Sequence, residues 1–354
     1  LEKSLLVGDY LFVSKVSYGP RKPNTPLTMP LTQHTMPVTG GKSYIEWPQW
    51  PYERVKGLGN VELNDIVVFN YPTGDTIVSN PQFAANDFYK MVSDISVELN
   101  HGQYPLVVSL SDADERKAYE QFLAKGRKYI ANHPEVFGKV DWRPVDRREN
   151  YVKRCVGTPG DTLQIIDNVI YIDGQKEPVH PYLQYNYIVR TDGHVLGNSY
   201  LSKLGISKED RESNGNGLYR LPLTAEMKAE LEKNSHVLSI EIEPEDQGGE
   251  VYPLGHNTWT RDNYGPIYIP AKGDTVMITE DNFHLYKRIA DAYEFKPMKV
   301  GEPYIFEMDY YWMMGDNRHK SADSRYWGFV PEDHIVGRPM FVWLSIEKDN
   351  PWGK

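Results

Sequence analysis

The stretch YVKRCV, Tyr151 to Val156, sets a lysine beside an arginine among apolar residues. As a strand it turns Tyr151, Lys153 and Cys155 to one face and Val152, Arg154 and Val156 to the other. If the lysine's face is buried, desolvation disfavours the ammonium form and lowers its pKa. A lysine in that state can take a proton from a serine hydroxyl and so make a nucleophile. The plainer alternative is a lysine at a sheet edge with its head in water. Arg154 keeps its charge and needs a carboxylate.

MMGDNRHKSADSRYWGFVP, Met313 to Pro331, offers that carboxylate. A solvated loop seldom needs Trp327 and Phe329 beside so many charges. A core strand seldom tolerates Asp316, Arg318, Asp323 and Arg325. With Ser321, Asp323 and Arg325 extended on one face, Asp323 is expected to pair with Arg154 as well as Arg325. Ser321 would then hydrogen-bond Lys153 and orient it. A surface loop of ion pairs is the competing reading.

Strand signals dominate the elements that would position these groups. Leu5 to Val16 reads as a strand pair about Gly8-Asp9, and NDIVVFNYP (Asn64 to Pro72) as a buried strand closed by proline. Between them the prolines from Pro20 to Pro51 exclude regular helix and central strand. Pro159-Gly160 fits a type II turn, and LQII-DN-VIYI-DG a hairpin about Asp167-Asn168. Helical patterning occupies about 81–135, where Ser111 and Asp114 open a helix with Ala118, Phe122 and Ile130 on its apolar face. Further helices are expected from Thr224 and around Phe283 to Tyr293.

The fold class read from this pattern is mainly β with helical insertions. Its antiparallel β catalytic core comprises 1–175 and 300–354, and a second α+β domain, 176–299, is inserted in it. The 354 residues are 40% hydrophobic and 12% aromatic, enough for two packed units. A net charge of −10 argues against nucleic acid as a partner. Cys155 is the only cysteine, so no internal disulfide forms. No apolar run reaches the ~18 residues of a membrane span. The His and Cys residues show no ligand spacing, so neither metal nor cofactor is implied.

GDYLFVSK, NDIVVFNYP, YVKRCVGTPGD and MGDNRHKSADSRYWGFVPEDHIVGR occur in that order. Together they resemble the characteristic boxes of type I signal peptidases, membrane-anchored Ser-Lys proteases. The long insertions and the proline-rich excursion look like the Bacteroidetes versions. The resemblance implies a serine endopeptidase that removes signal peptides from exported preproteins, at the bacterial inner membrane with this domain facing the periplasm. It implies that Lys153 is the general base and Ser321 its orienting partner. Arg154, Asp323 and Arg325 would form the supporting ion cluster, with Gly315 and Asp316 opening the last box. Leu5, Leu11, Tyr151 and Val152 match positions that line the pockets for small residues.

One departure affects the activity expected. The family's nucleophilic serine lies nine positions before the Asp of the first GD, here Asp9, so it would fall immediately before Leu1. Leu1 stands where the family usually has Met, and Ser4 matches a position that is not nucleophilic. The oxyanion-hole serine and the membrane anchor would also lie upstream. The chain as given is therefore expected to be inactive, a truncated form without its nucleophile. The alternative is an inactive homologue that binds exported chains or a membrane partner.

Overall fold

Strands form where apolar and aromatic residues alternate or run together. The computed structural model describes residues 9–30, 32–74, 76–83, 86–103, 113–245, 251–253 and 258–345. Six strands make one antiparallel sheet, in the order Asp9–Ser14, Ile335–Ser345, Ile66–Asn70, Asn150–Gly157, Tyr310–Met314 and Val330–Pro331. This is the mainly β, antiparallel class read from the sequence. The strand pair expected about Gly8-Asp9 is represented by Asp9–Ser14, and its first half lies outside the described residues. Asp9–Ser14 pairs with the far end of the chain, Leu11 standing opposite Val342.

The lysine strand runs inside this sheet. Val67 lies opposite Lys153 on one side and Met314 opposite Arg154 on the other. Its two faces enter different cores, as alternation requires. Cys155 packs with Val67, Phe69, Met313 and Trp327, with Tyr151 against them. Val156 packs with Leu163, Ile267, Trp312 and Phe329. Trp327 and Phe329 thus seat the charged run in both cores. Gly328 between them has φ 84°, and a Cβ there would meet the Tyr252 ring at 2.9 Å.

After the lysine strand, Asp161 N–H donates to Thr158 O and Gly160 takes φ 94°, closing the expected turn. The strands Thr162–Ile166 and Val169–Ile172 follow, joined by Asp167 (φ 47°) and Asn168 (φ 69°), residue types that tolerate this backbone. Tyr264–Tyr268 pairs on the free side of Thr162–Ile166, Ile267 standing opposite Leu163.

The chain between these strands builds a third sheet from Glu212–Ser213, Leu218–Leu223, Tyr185–Thr191 and Val237–Ile242. Thr224 caps the helix Ala225–Leu231, its Oγ1 accepting from Met227 N–H. This unit has its own core, which includes Val189, Leu201, Leu221 and Leu231. The helix Glu280–Ala292 instead sends Phe283, Tyr286 and Ile289 into the core of Val156 and Trp312. The 176–299 division groups that helix with the inserted unit, whereas its packing is with the first.

The helical region contains Phe88–Leu99 and Ala113–Asn132. Phe122 and Ile130 are buried as expected, Ala118 is exposed, and Ser111 lies outside the described residues. Among its described residues the proline-rich excursion shows only isolated bridges, such as Thr28 with Tyr44. Among the described residues no helix is long and apolar enough to cross a membrane.

Candidate active site

Strand register delivers Lys153 to a half-buried position, and the loop after Met314 folds over it. Lys153 Nζ donates to Ser321 Oγ at 2.8 Å, joining residues 168 positions apart. The neighbouring Ala322 is exposed, so solvent reaches the pair. Gly315 makes the approach possible. A Cβ there would overlap Ser321 Oγ and stand 2.7 Å from Ser321 Cβ and 3.3 Å from Lys153 Nζ.

The expected pairing of Arg154 with Asp323 is not the one formed. Arg154 Nε and Nη2 donate to the two oxygens of Asp316 at 2.8 and 2.9 Å, and Nη1 donates to Asn64 O at 2.9 Å. Met314 faces Arg154 across the ladder, so Asp316, two residues further on, comes within diagonal reach on the same face. Residues 321–325 are also not extended. Asp323 caps the single helical turn Ser324–Trp327, accepting from Arg325 N–H. Arg325 Nε and Nη2 bind its two oxygens at 2.9 and 2.8 Å, and Gly315 N–H donates to Oδ2 at 3.1 Å. Four donors therefore occupy Asp323, leaving no place for Arg154.

Both pairs are buried, with Arg154 and Asp316 4% and 1% exposed and Arg325 and Asp323 1% and 0%. Burial by itself would raise the Asp323 carboxyl. The Arg325 charge, its hydrogen bonds and the nearby Lys153 outweigh that and hold Asp323 below the ordinary carboxylate range. Arg325 is correspondingly raised by Asp323 against its own burial. Burial pushes the Cys155 thiol up, which keeps it out of nucleophilic chemistry.

The residues matched to substrate pockets are distributed unevenly. Tyr151 stacks on Tyr71 at 4.6 Å and meets Trp327 edge-on at 5.5 Å, on the lysine's side of the sheet. Val152 faces away from Lys153, opposite Val68 in the ladder. Two strands separate Leu11 from the lysine strand in sheet order, and Leu5 lies outside the described residues. Sequence reasoning missed Ser324, whose Oγ accepts from Met313 N–H at 2.9 Å and ties the helical turn back to its strand. It also missed the role of Asp316, although the residue opens the quoted box. Among the described residues no cluster of three or more His, Cys, Asp or Glu is placed to hold a metal ion.

The family model for signal peptidase, peptidase S26, matches residues 1–203 and 263–344. The chain belongs to this family. Lys153 and Arg154 lie in the first matched segment, and Gly315 to Arg325 in the second. Residues 204–262, most of the third sheet and the helix Ala225–Leu231, lie outside the match.

Signal peptidase I of Buchnera aphidicola subsp. Acyrthosiphon pisum is 26% identical over 215 residues, 59% of this chain and 54% of the relative. Signal peptidase I of Rickettsia felis is 28% identical over 227 residues, 64% and 57% of the two chains. Signal peptidase I of Haemophilus influenzae is 44% identical over 93 residues, 24% and 25% of the two chains. The chain thus spans little more than half the length of its longer-matching relatives.

Proposed function

We propose that this chain is the base-bearing part of a type I signal peptidase that cuts exported preproteins after small residues. The observation that carries the reading is the Lys153 Nζ to Ser321 Oγ contact at 2.8 Å, over a glycine where any side chain would collide. Lys153 is the general base and Ser321 orients it. Arg154–Asp316 and Asp323–Arg325 hold the two segments in place from below. In this reading Tyr151, on the lysine's side of the sheet, and Leu11 line the substrate pockets. The nucleophile in this reading is a serine at the place the family pattern sets nine positions before Asp9.

The chemistry is acyl transfer. Neutral Lys153 takes the serine proton as the oxygen attacks the peptide carbonyl. The tetrahedral intermediate collapses, the scissile C–N bond breaks, and the lysine gives its proton to the leaving amine. It then takes a proton from water, which attacks the ester and releases the serine. The substrates are preproteins presented at the bacterial inner membrane, with this domain on the periplasmic side.

The test is cleavage of a preprotein by the protein carrying its upstream sequence, reconstituted in lipid vesicles. Cutting after a small residue, lost in Lys153→Ala, is the expected result. Binding of the preprotein without cleavage would overturn the peptidase reading in favour of an inactive homologue.

A further inference from the structure

Behind the lysine strand, on the face opposite Lys153, lies a cavity of about 240 Å³. Its walls are largely apolar, with Val156, Ile170 and Leu183 among them, and Arg154, Asn168 and Arg318 add polar groups. The volume falls below the ~300–1,000 Å³ of sites for drug-sized ligands, and so suits a molecule of a few carbons.

Arg318 is the group that lacks an explanation in the fold. It is 4% exposed, and its Nε has no hydrogen-bond partner. Its main chain is fixed, the N–H donating to Gln184 O at 2.9 Å and the carbonyl accepting from Arg325 Nη2 at 2.6 Å. The carboxylates whose charges act on it are committed elsewhere. Asp316 holds Arg154 through both oxygens, and Asp323 holds Arg325 and Gly315 N–H. Burial depresses the pKa of the Arg318 guanidinium, the mark of a charge short of compensation. A guanidinium fork in such surroundings fits one ligand class best, a planar anion that accepts two parallel hydrogen bonds.

We propose that this cavity binds a small carboxylate with a short apolar body, gripped by Arg318 and covered by the apolar walls. Free aliphatic acids and the C-terminal carboxylate of a short peptide present the same chemistry. Glu177 at the lining disfavours highly charged anions, and inorganic phosphate would leave the apolar wall uncovered. The site is independent of the peptidase reading, since it lies on the other face of the strand and uses neither Lys153 nor Ser321.

The experiment is methyl NMR of Leu183 and Val179 in this chain during titration with isovalerate, N-acetyl-leucine, N-acetyl-leucinamide and phosphate. Saturable shifts with the two carboxylates, at least about tenfold weaker binding of the amide and none for phosphate are expected; tenfold is ~1.4 kcal/mol. Tighter binding of N-acetyl-leucine identifies a peptide terminus, and tighter binding of isovalerate a free acid. Arg318→Gln should abolish the shifts. Val179 lines the cavity and is 64% exposed, so Val179→Trp should block entry without touching the core. Absence of shifts up to ~10 mM, equal binding of the amide, binding of phosphate alone, or unchanged binding in Val179→Trp would each overturn the proposal.

Discussion

At Lys153 the hydrogen bond to Ser321 is one that a methyl group on Gly315 would abolish. Under the proposed function, Lys153→Ala in the protein with its upstream sequence lowers cleavage by at least ~10²–10⁴-fold, the usual contribution of a positioned base. Lys153→Arg fails equally, because a guanidinium stays protonated at working pH; full activity in that variant would assign the base elsewhere. Ser321→Ala removes one hydrogen bond to the lysine as it takes on charge in the transition state, about 1.5–3 kcal/mol, and should slow turnover by roughly 10–150-fold. Gly315→Ala drives a Cβ into Ser321 and should cost ~1–3 kcal/mol of stability while separating the pair. Its check combines a urea melt with the rate. A variant as active and as stable as the parent would show that the loop yields there.

At the scale of elements, Arg154–Asp316 fastens the lysine strand to the end of its neighbour, and Asp323–Arg325 closes the following turn. Removing one partner of a buried pair costs ~3–5 kcal/mol, because the other charge stays behind without compensation. Asp316→Ala should therefore destabilise by that amount in urea, and Arg154→Met combined with Asp316→Leu should recover much of it. A double-mutant cycle separates the two pairings. Coupling of Arg154 should be large with Asp316 and near zero with Asp323. Strong coupling to Asp323 would contradict this pairing.

For the whole molecule, acid is the informative stress. Asp323, Glu149 and Asp333 are all held below the ordinary carboxylate range despite burial, by Arg325, by His34 and Arg143, and by His334 and Arg21. A depressed folded pKa contributes stability that is fully present above the unfolded value of ~3.9–4.3 and is lost as pH falls through the folded values. The melting temperature should thus hold from neutral pH down to about 5 and drop steeply below about 4. Asp323→Asn should be less stable at neutral pH and show a shallower acid limb; an identical acid limb would remove Asp323 from the cause. The separate core around Val189 and Leu221 supports a domain division narrower than 176–299. We propose that about 183–245 is the inserted unit. Excised, it should unfold cooperatively but at low temperature, since domains of ~60 residues are marginal. A non-cooperative melt would mean that it folds only against the main sheet.

What the sequence alone determined follows local rules. Alternation in YVKRCV put Cys155 and Val156 into different cores, Asp167-Asn168 supplied the backbone of a tight hairpin, and Thr224 capped its helix. The Lys153–Ser321 contact was also legible, because the boxes that carry both residues are distinctive. The tertiary structure alone decided which acid serves Arg154, which strand accepts Asp9–Ser14, and where the helix Glu280–Ala292 packs. Each choice depends on register between segments far apart in sequence. Arg154 reaches Asp316 because Met314 stands opposite it, and Asp323 is withheld because a single helical turn directs its oxygens to Arg325 and Gly315. Residue types fix which charges need partners, but cross-strand register fixes which partners arrive.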